Sequence, residues 1–187
     1  SNDDQWDRLG ADETADRLIA AGEIPPFIVV MPRDRSWEQP AEDLFGRVLV
    51  EELMPWIDGR YRTIADRQQR AIGGLSRGAG WAVHLGLSHP ELFGRLGGHS
   101  LAVFWSDTGK IRTWLAETPP DQLPEIYLDI GNKDRPQILA STLWFDNLLA
   151  DLRIPHEFYF FTGYHNEAYW SRHVETYLRW YSQAWQP

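Results

Sequence analysis

Ala71-Ile72-Gly73-Gly74-Leu75-Ser76-Arg77-Gly78-Ala79-Gly80-Trp81-Ala82-Val83-His84-Leu85 decides how this 187-residue chain is read. Ala71 to Leu75 is an apolar, glycine-bearing run that predicts a short strand, and Gly78 to Ser88 predicts a helix halted before Pro90. The join between them, Gly74-Leu75-Ser76-Arg77-Gly78, matches G-x-S-x-G. In that pattern a serine stands on a sharp, strained strand-to-helix turn, and the flanking glycines let the backbone crowd together. Such a turn exposes the hydroxyl and aims a helix N-terminus at the reacting centre. A chain of this composition yields about 0.06 such matches by chance, and the strand before it and helix after it add weight.

Outward from this turn, strand and helix patterns alternate. Asp12 to Ala21 predicts a helix with Ala15, Leu18 and Ile19 on its apolar side, and Gly22 is a natural stop. After Pro25-Pro26, Phe27 to Met31 is a continuous apolar run, the pattern of a strand covered on both faces. Pro32 to Pro40 is a polar loop, and Leu44 to Ile57 has helical spacing. Downstream, strands are predicted at Phe93 to Gly98, Ile126 to Ile130 and Phe158 to Phe161. Helices are predicted at Ile111 to Ala116, Pro136 to Leu152 and Ala168 to Trp185. The alternation predicts an α/β fold, residues 1–187 forming one domain with a mostly parallel sheet and helices on both faces.

The formal charge of −9 argues against nucleic-acid or anionic-membrane partners. The longest apolar runs are too short to span a bilayer. The absence of cysteine excludes disulfides, thiolate metal sites and a cysteine nucleophile. Ten tryptophans fit either an aromatic core or an aromatic cleft.

A serine nucleophile needs a base and an acid, which come after it along the chain in the order Ser, Asp or Glu, His. Of six histidines, His165 lies in Thr162-Gly163-Tyr164-His165-Asn166, a loop just after the last strand, where a base would hang over the strand ends. His99 also follows a strand and is the second candidate, but it precedes every downstream acid. Asp134 lies in the loop after the Ile126 to Ile130 strand and is the expected acid. Asp129, inside that strand, is the alternative, and buried there it would need its own partner. The carboxylates and histidines show no tight ligand spacing and no phosphate-binding glycine pattern is present, so neither metal nor cofactor is implied.

Gly74 to Gly80, Pro90-Glu91-Leu92-Phe93, Gly98-His99-Ser100, Leu128 to Asp134 and Gly163 to Trp170 together resemble the putative-esterase family of α/β-hydrolases, which includes esterase D, enterochelin-type esterases, feruloyl esterases and mycolyltransferases. Val29-Val30-Met31-Pro32 and Glu51 to Asp58 resemble it too, so the likeness covers nearly the whole chain. It implies an α/β-hydrolase fold, a small-molecule ester substrate, and Ser76, Asp134 and His165 as the triad. The backbone N–H of Arg77 would be one oxyanion donor. An acyltransferase with the same triad and a non-catalytic esterase-like binding module are the alternatives.

Three departures stand out. Arg77 succeeds the serine where the family often has an apolar residue, and Glu167 stands where Trp is frequent. The early strand ending in a His-Gly loop, which supplies a second oxyanion donor in the family, has no counterpart, because Ser1 to Trp6 resembles the family's stretch just C-terminal to that loop. With Phe27 to Met31 as fourth strand and Ala71 to Leu75 as fifth, the third would be missing from between them. The expectation is that an N-terminal segment or a separate chain completes the sheet, the alternative being a rearranged sheet that closes without it. Trp37, Trp105 and Trp170 lie in or beside loops at the strand ends and are candidate substrate-binding residues, with Arg77 adding a cation.

Overall fold

The computed structural model describes residues 3–185; Ser1 and Asn2, which open the Ser1 to Trp6 stretch, lie outside them. In chain order come α1 (Gln5–Arg8), α2 (Ala11–Ala20), α3 (Phe45–Val48) and α4 (Met54–Arg60), then β1 (Ala71–Leu75), α5 (Arg77–Ser88), β2 (Arg95–His99) and α6 (Thr108–Glu117). The chain ends with β3 (Glu125–Gly131), α7 (Pro136–Asp151), β4 (Glu157–Phe161) and α8 (Glu167–Ser182). A π-helical turn, Leu49–Leu53, joins α3 to α4, where Pro55 in the first turn of α4 has no N–H to give to the helical ladder.

The four strands form one parallel sheet in the order β1-β2-β3-β4. Strand alternation then sorts the side chains. Leu96, Ile126 and Leu128 face α5, α6 and α7, packing with Ala79, Val83 and Leu87, with Ile111 and Leu115, and with Phe145, Leu148 and Leu149. Leu75 points to the other face, where Val174 and Leu178 of α8 meet Leu9 and Leu18 from the N-terminal helices. The α/β-hydrolase arrangement expected from the sequence is therefore present, a parallel sheet clothed on both faces.

The Phe27 to Met31 segment is the correction. It forms no ladder among the described residues, and Ile28, Val29 and Val30 are 48%, 46% and 43% exposed. A continuous apolar run becomes a strand only when a neighbouring edge accepts its backbone bonds. Here β1 pairs with β2 on one side, and a cavity of about 810 Å³ is lined jointly by Phe27, Ile28, Val30 and the β1 residues from Ala71 to Leu75. Phe27 is held from elsewhere, by the α2–α8 cluster and by the Trp185 ring 5.5 Å away.

On the α8 face the core is polar. Asp129 and His99 are wholly buried and paired, His99 Nδ1 lying 2.6 Å from Asp129 Oδ1. The second carboxylate oxygen of Asp129 accepts from Tyr169 at 2.5 Å and Tyr177 at 2.9 Å, and His99 Nε2 meets the Tyr181 hydroxyl at 2.8 Å. Three donors therefore surround a carboxylate removed from water, the condition under which its burial is tolerated. Burial, followed by the nearby Asp129 charge, drives the Tyr169 and Tyr177 phenols far above their ordinary range, so both stay protonated donors. Tyr181 reaches His99 only because it crosses Gly73 and Gly97: a Cβ on Gly97 would stand 2.0 Å from its hydroxyl oxygen. Gly97→Ala is expected to lower unfolding free energy by about 1–3 kcal/mol in urea titrations, and Tyr181→Phe in the same background should recover part of that loss.

Candidate active site

Ser76 occupies the turn between β1 and α5 with φ 55° and ψ −116°, a strained conformation for a side-chain-bearing residue. Three backbone bonds hold it there: Ser76 N–H donates to His99 C=O at 2.9 Å, and Ser76 C=O accepts from Gly80 N–H at 3.2 Å and from Ala102 N–H at 3.3 Å. Of the two motif glycines, Gly74 is the one the turn demands, because a Cβ there would lie 2.2 Å from the Gly78 carbonyl carbon. A Cβ on Gly78 would meet nothing within 4 Å.

The loops after β3 and β4 bring the partners. They are laced together by Asn132 N–H to Phe161 C=O at 2.7 Å and Lys133 N–H to Gly163 C=O at 2.9 Å. Asn166 caps α8, its side chain accepting from Tyr169 N–H at 3.0 Å, which sets His165 just outside the helix. His165 Nε2 stands 3.0 Å from Ser76 Oγ, and its Nδ1 stands 2.8 Å from Asp134 Oδ1, off the ideal hydrogen-bond direction. Burial works against the Asp134 charge, but the His165 contact and the Ser100 hydroxyl outweigh it and hold the carboxyl below its usual range. The structure thus brings together Ser76, His165 and Asp134, the three residues singled out in the sequence.

The runner-up acid and base are also brought together, but with each other: Asp129 and His99 form the buried pair described above. His84 pairs with Asp107 at 2.7 Å and His156 with Asp146 at 2.9 Å. His173 stacks on Phe161, and burial lowers its pKa, which favours the neutral ring.

Arg77 opens α5, so its N–H is one of those a helix leaves without an internal acceptor. Its side chain is not a free cation. The guanidinium binds the Asp34 carboxylate and the Glu38 carbonyl, and it lies over the Phe104 ring at 4.8 Å and the Trp37 ring at 5.6 Å. Trp81 donates to the same Asp34 oxygen at 2.8 Å. Arg77 thereby ties the loop carrying Trp37 to the turn carrying Ser76. Trp37 is 64% exposed and Trp105 is 73% exposed. Trp170 is placed differently: it is buried, its indole N–H donates to Ser100 Oγ at 3.1 Å, and its ring meets His165 edge-on at 5.0 Å. Asp34 and Ser100 escaped the sequence reading. Ser100 lies in the Gly98-His99-Ser100 stretch that resembles the family, but nothing in that stretch assigns it a role, and the relation of both residues to the site arises from contacts distant along the chain. Among the described residues no group of three or more histidines and carboxylates is arranged to hold a metal ion.

Sheet, turn and the chain order Ser76, Asp134, His165 place this molecule among the α/β-hydrolases. The model of the Putative esterase family matches residues 3–181, and the chain belongs to that family. It is 33% identical over 144 residues to an endo-1,4-beta-xylanase/feruloyl esterase of Xylanibacter ruminicola, covering 73% of this chain and 19% of that protein, so the chain spans about a fifth of that relative's length. A ferulic acid esterase structure superposes with a TM-score of 0.79 at 23% identity, covering 97% of this chain and 80% of the other. A fluorophosphonate-binding serine hydrolase of Staphylococcus aureus superposes with a TM-score of 0.78 at 17% identity, covering 97% of this chain and 79% of its own.

Proposed function

We propose that this chain is the catalytic portion of a serine carboxylic-ester hydrolase that works through an acyl-enzyme, with Ser76 as nucleophile, His165 as base and Asp134 as acid. The observation that carries the reading is His165 Nε2 at 3.0 Å from the hydroxyl of a strained Ser76, with Asp134 at 2.8 Å behind the ring. Ser76 Oγ attacks the ester carbonyl while His165 takes its proton. The Arg77 N–H donates to the oxyanion, and His165 then protonates the departing alcohol. Water, activated by the same imidazole, cleaves the acyl-enzyme. Asp134 keeps the Nδ1–H tautomer in place and stabilises the imidazolium between these steps. Ser76→Ala and His165→Ala should each lower ester turnover by about 10³-fold or more and abolish fluorophosphonate labelling, with the fold intact by circular dichroism. Asp134→Asn should reduce kcat strongly, whereas Asp129→Asn should act mainly on stability. Full activity in the Ser76 or His165 variant rejects the reading, and transfer of the acyl group to an added alcohol in preference to water makes the enzyme an acyltransferase.

The relatives' names make esters of ferulic acid the first substrates to test. We assign the substrate wall to Trp37 and Trp105, which are exposed, Trp37 lying against the Arg77 guanidinium next to Ser76 and Trp105 following Phe104 in the chain, with Trp170 packed against the His165 ring. Trp105→Ala should shift relative kcat/KM between feruloyl and acetyl esters by about tenfold at unchanged stability; equal loss on both esters assigns Trp105 elsewhere.

We further propose that polypeptide outside residues 1–187 supplies a strand to the open side of β1 and the second oxyanion donor. Support comes from the β1 edge, which has no strand partner other than β2 among the described residues, the cavity of about 810 Å³ beside it, and the exposed Ile28 and Val30 that help line it. A free parallel-strand edge beside exposed apolar side chains is a ready template for a further strand. Residues 1–187 purified as a single species by intact mass should turn over esters at least about 10²-fold more slowly than the longer protein. Full activity and cooperative unfolding of residues 1–187 alone would overturn this.

A further inference from the structure

We propose that Ser100 is a positioning residue: its buried hydroxyl accepts from the Trp170 indole and donates to the second oxygen of the Asp134 carboxylate, keeping that acid within reach of His165. The inference rests on the triad reading above and names a fourth member that acts through Asp134.

Ser100 directly follows β2 and is wholly buried. Its N–H donates to Asp129 C=O at 2.8 Å, and its backbone is held at φ 51°, in the left-handed region that side-chain-bearing residues avoid. A strained, buried polar residue beside an active site calls for a reason. Glycine would suit this backbone better, so the hydroxyl is what the position retains.

The hydrogen bonds leave two complementary gaps. Asp134 Oδ1 accepts from Arg135 N–H at 2.6 Å and faces His165 Nδ1, whereas Oδ2 is buried without a partner of ordinary geometry. Ser100 Oγ accepts from Trp170 Nε1 at 3.1 Å, and its own proton then needs an acceptor. The Asp134 carboxylate answers both needs, and the Ser100 hydroxyl is one of the groups that favour its charged form against burial. Trp170 sets the hydroxyl's direction from one side while its ring edge abuts His165 from the other. One indole thus steadies both the acid, through Ser100, and the base, by contact. Without the Ser100 donor the carboxylate can rotate about its Cβ–Cγ bond, and the 2.8 Å approach to Nδ1 is no longer specified.

The test uses an aryl acetate with the longest form of the protein that is active. Ser100→Gly removes the hydroxyl and relaxes the backbone, and Ser100→Ala removes the hydroxyl alone. Both are expected to lower kcat about tenfold with KM changed by less than about twofold. In an Asp134→Asn background the same replacements should cost less than about twofold, because the charged carboxylate they orient has been replaced by a neutral amide. Wild-type kcat in a folded Ser100→Gly or Ser100→Ala protein overturns the proposal, as does an undiminished tenfold loss in the Asp134→Asn background. Full activity of Asp134→Asn by itself would instead sink the triad reading. Should both Ser100 variants fail to fold, Trp170→Phe keeps an aromatic ring and removes the donor to Ser100. It should lower kcat several-fold, again only when Asp134 is present, and an unchanged kcat there overturns the proposal.

Discussion

The chain passes from β1 into α5 so abruptly that a Cβ on Gly74 would stand 2.2 Å from the carbonyl carbon of Gly78. Glycine at that one position permits the turn, and the turn puts Ser76 at φ 55° with its hydroxyl beyond the strand ends. The strain is balanced by bonds that run to the neighbouring strand and into the helix: Ser76 N–H to His99 C=O and Gly80 N–H to Ser76 C=O. The loops after β3 and β4 then have a fixed point to converge on. His165 and Asp134 are brought there by loops laced to each other at Asn132, Lys133 and Gly163, and His165 Nε2 then meets the Ser76 hydroxyl at 3.0 Å.

Beneath this site the α8 face of the sheet is polar and buried. Asp129 collects three donors, and the His99 ring lies stacked 3.6 Å from Tyr177. Geometry of this kind specifies one seating for α8, since sliding the helix would strand a buried carboxylate, which is far more expensive than repacking apolar groups. Tyr169 sits one turn into that helix and Asn166 caps it, so the seating of α8 also sets where the His165 loop begins. A polar anchor far from solvent thereby positions His165 over Ser76.

Arg77 links the two halves of the site surface. Its backbone belongs to the elbow and its side chain is spent on Asp34, Glu38 and the faces of Phe104 and Trp37. The 33–43 loop is in this way attached to the residue next to Ser76. The cavity on the open side of β1 begins at the same residue, since Arg77 and Asp34 line it together with Phe27 and Ile72.

Some of this was written in the linear sequence. G-x-S-x-G between an apolar run and a helical one fixes a strand–turn–helix locally, because the glycine requirement and the hydrophobic period are properties of adjacent residues. Alternating strand and helix patterns determined a parallel sheet, and the post-strand positions of Asp134 and His165 marked them out by chain order alone. The fate of Phe27 to Met31 was not written there: five apolar residues make a strand only beside an edge that accepts their bonds, and whether that edge is adjacent is a tertiary fact. Nor could the sequence show that Asp129 and His99 would choose each other, that Trp170 would turn inward to Ser100, or that Arg77 would be neutralised by Asp34 from 43 residues away. Hydrogen bonds and ion pairs are decided by direction and by distances of a few ångströms, and only the folded chain sets those between residues so far apart along it.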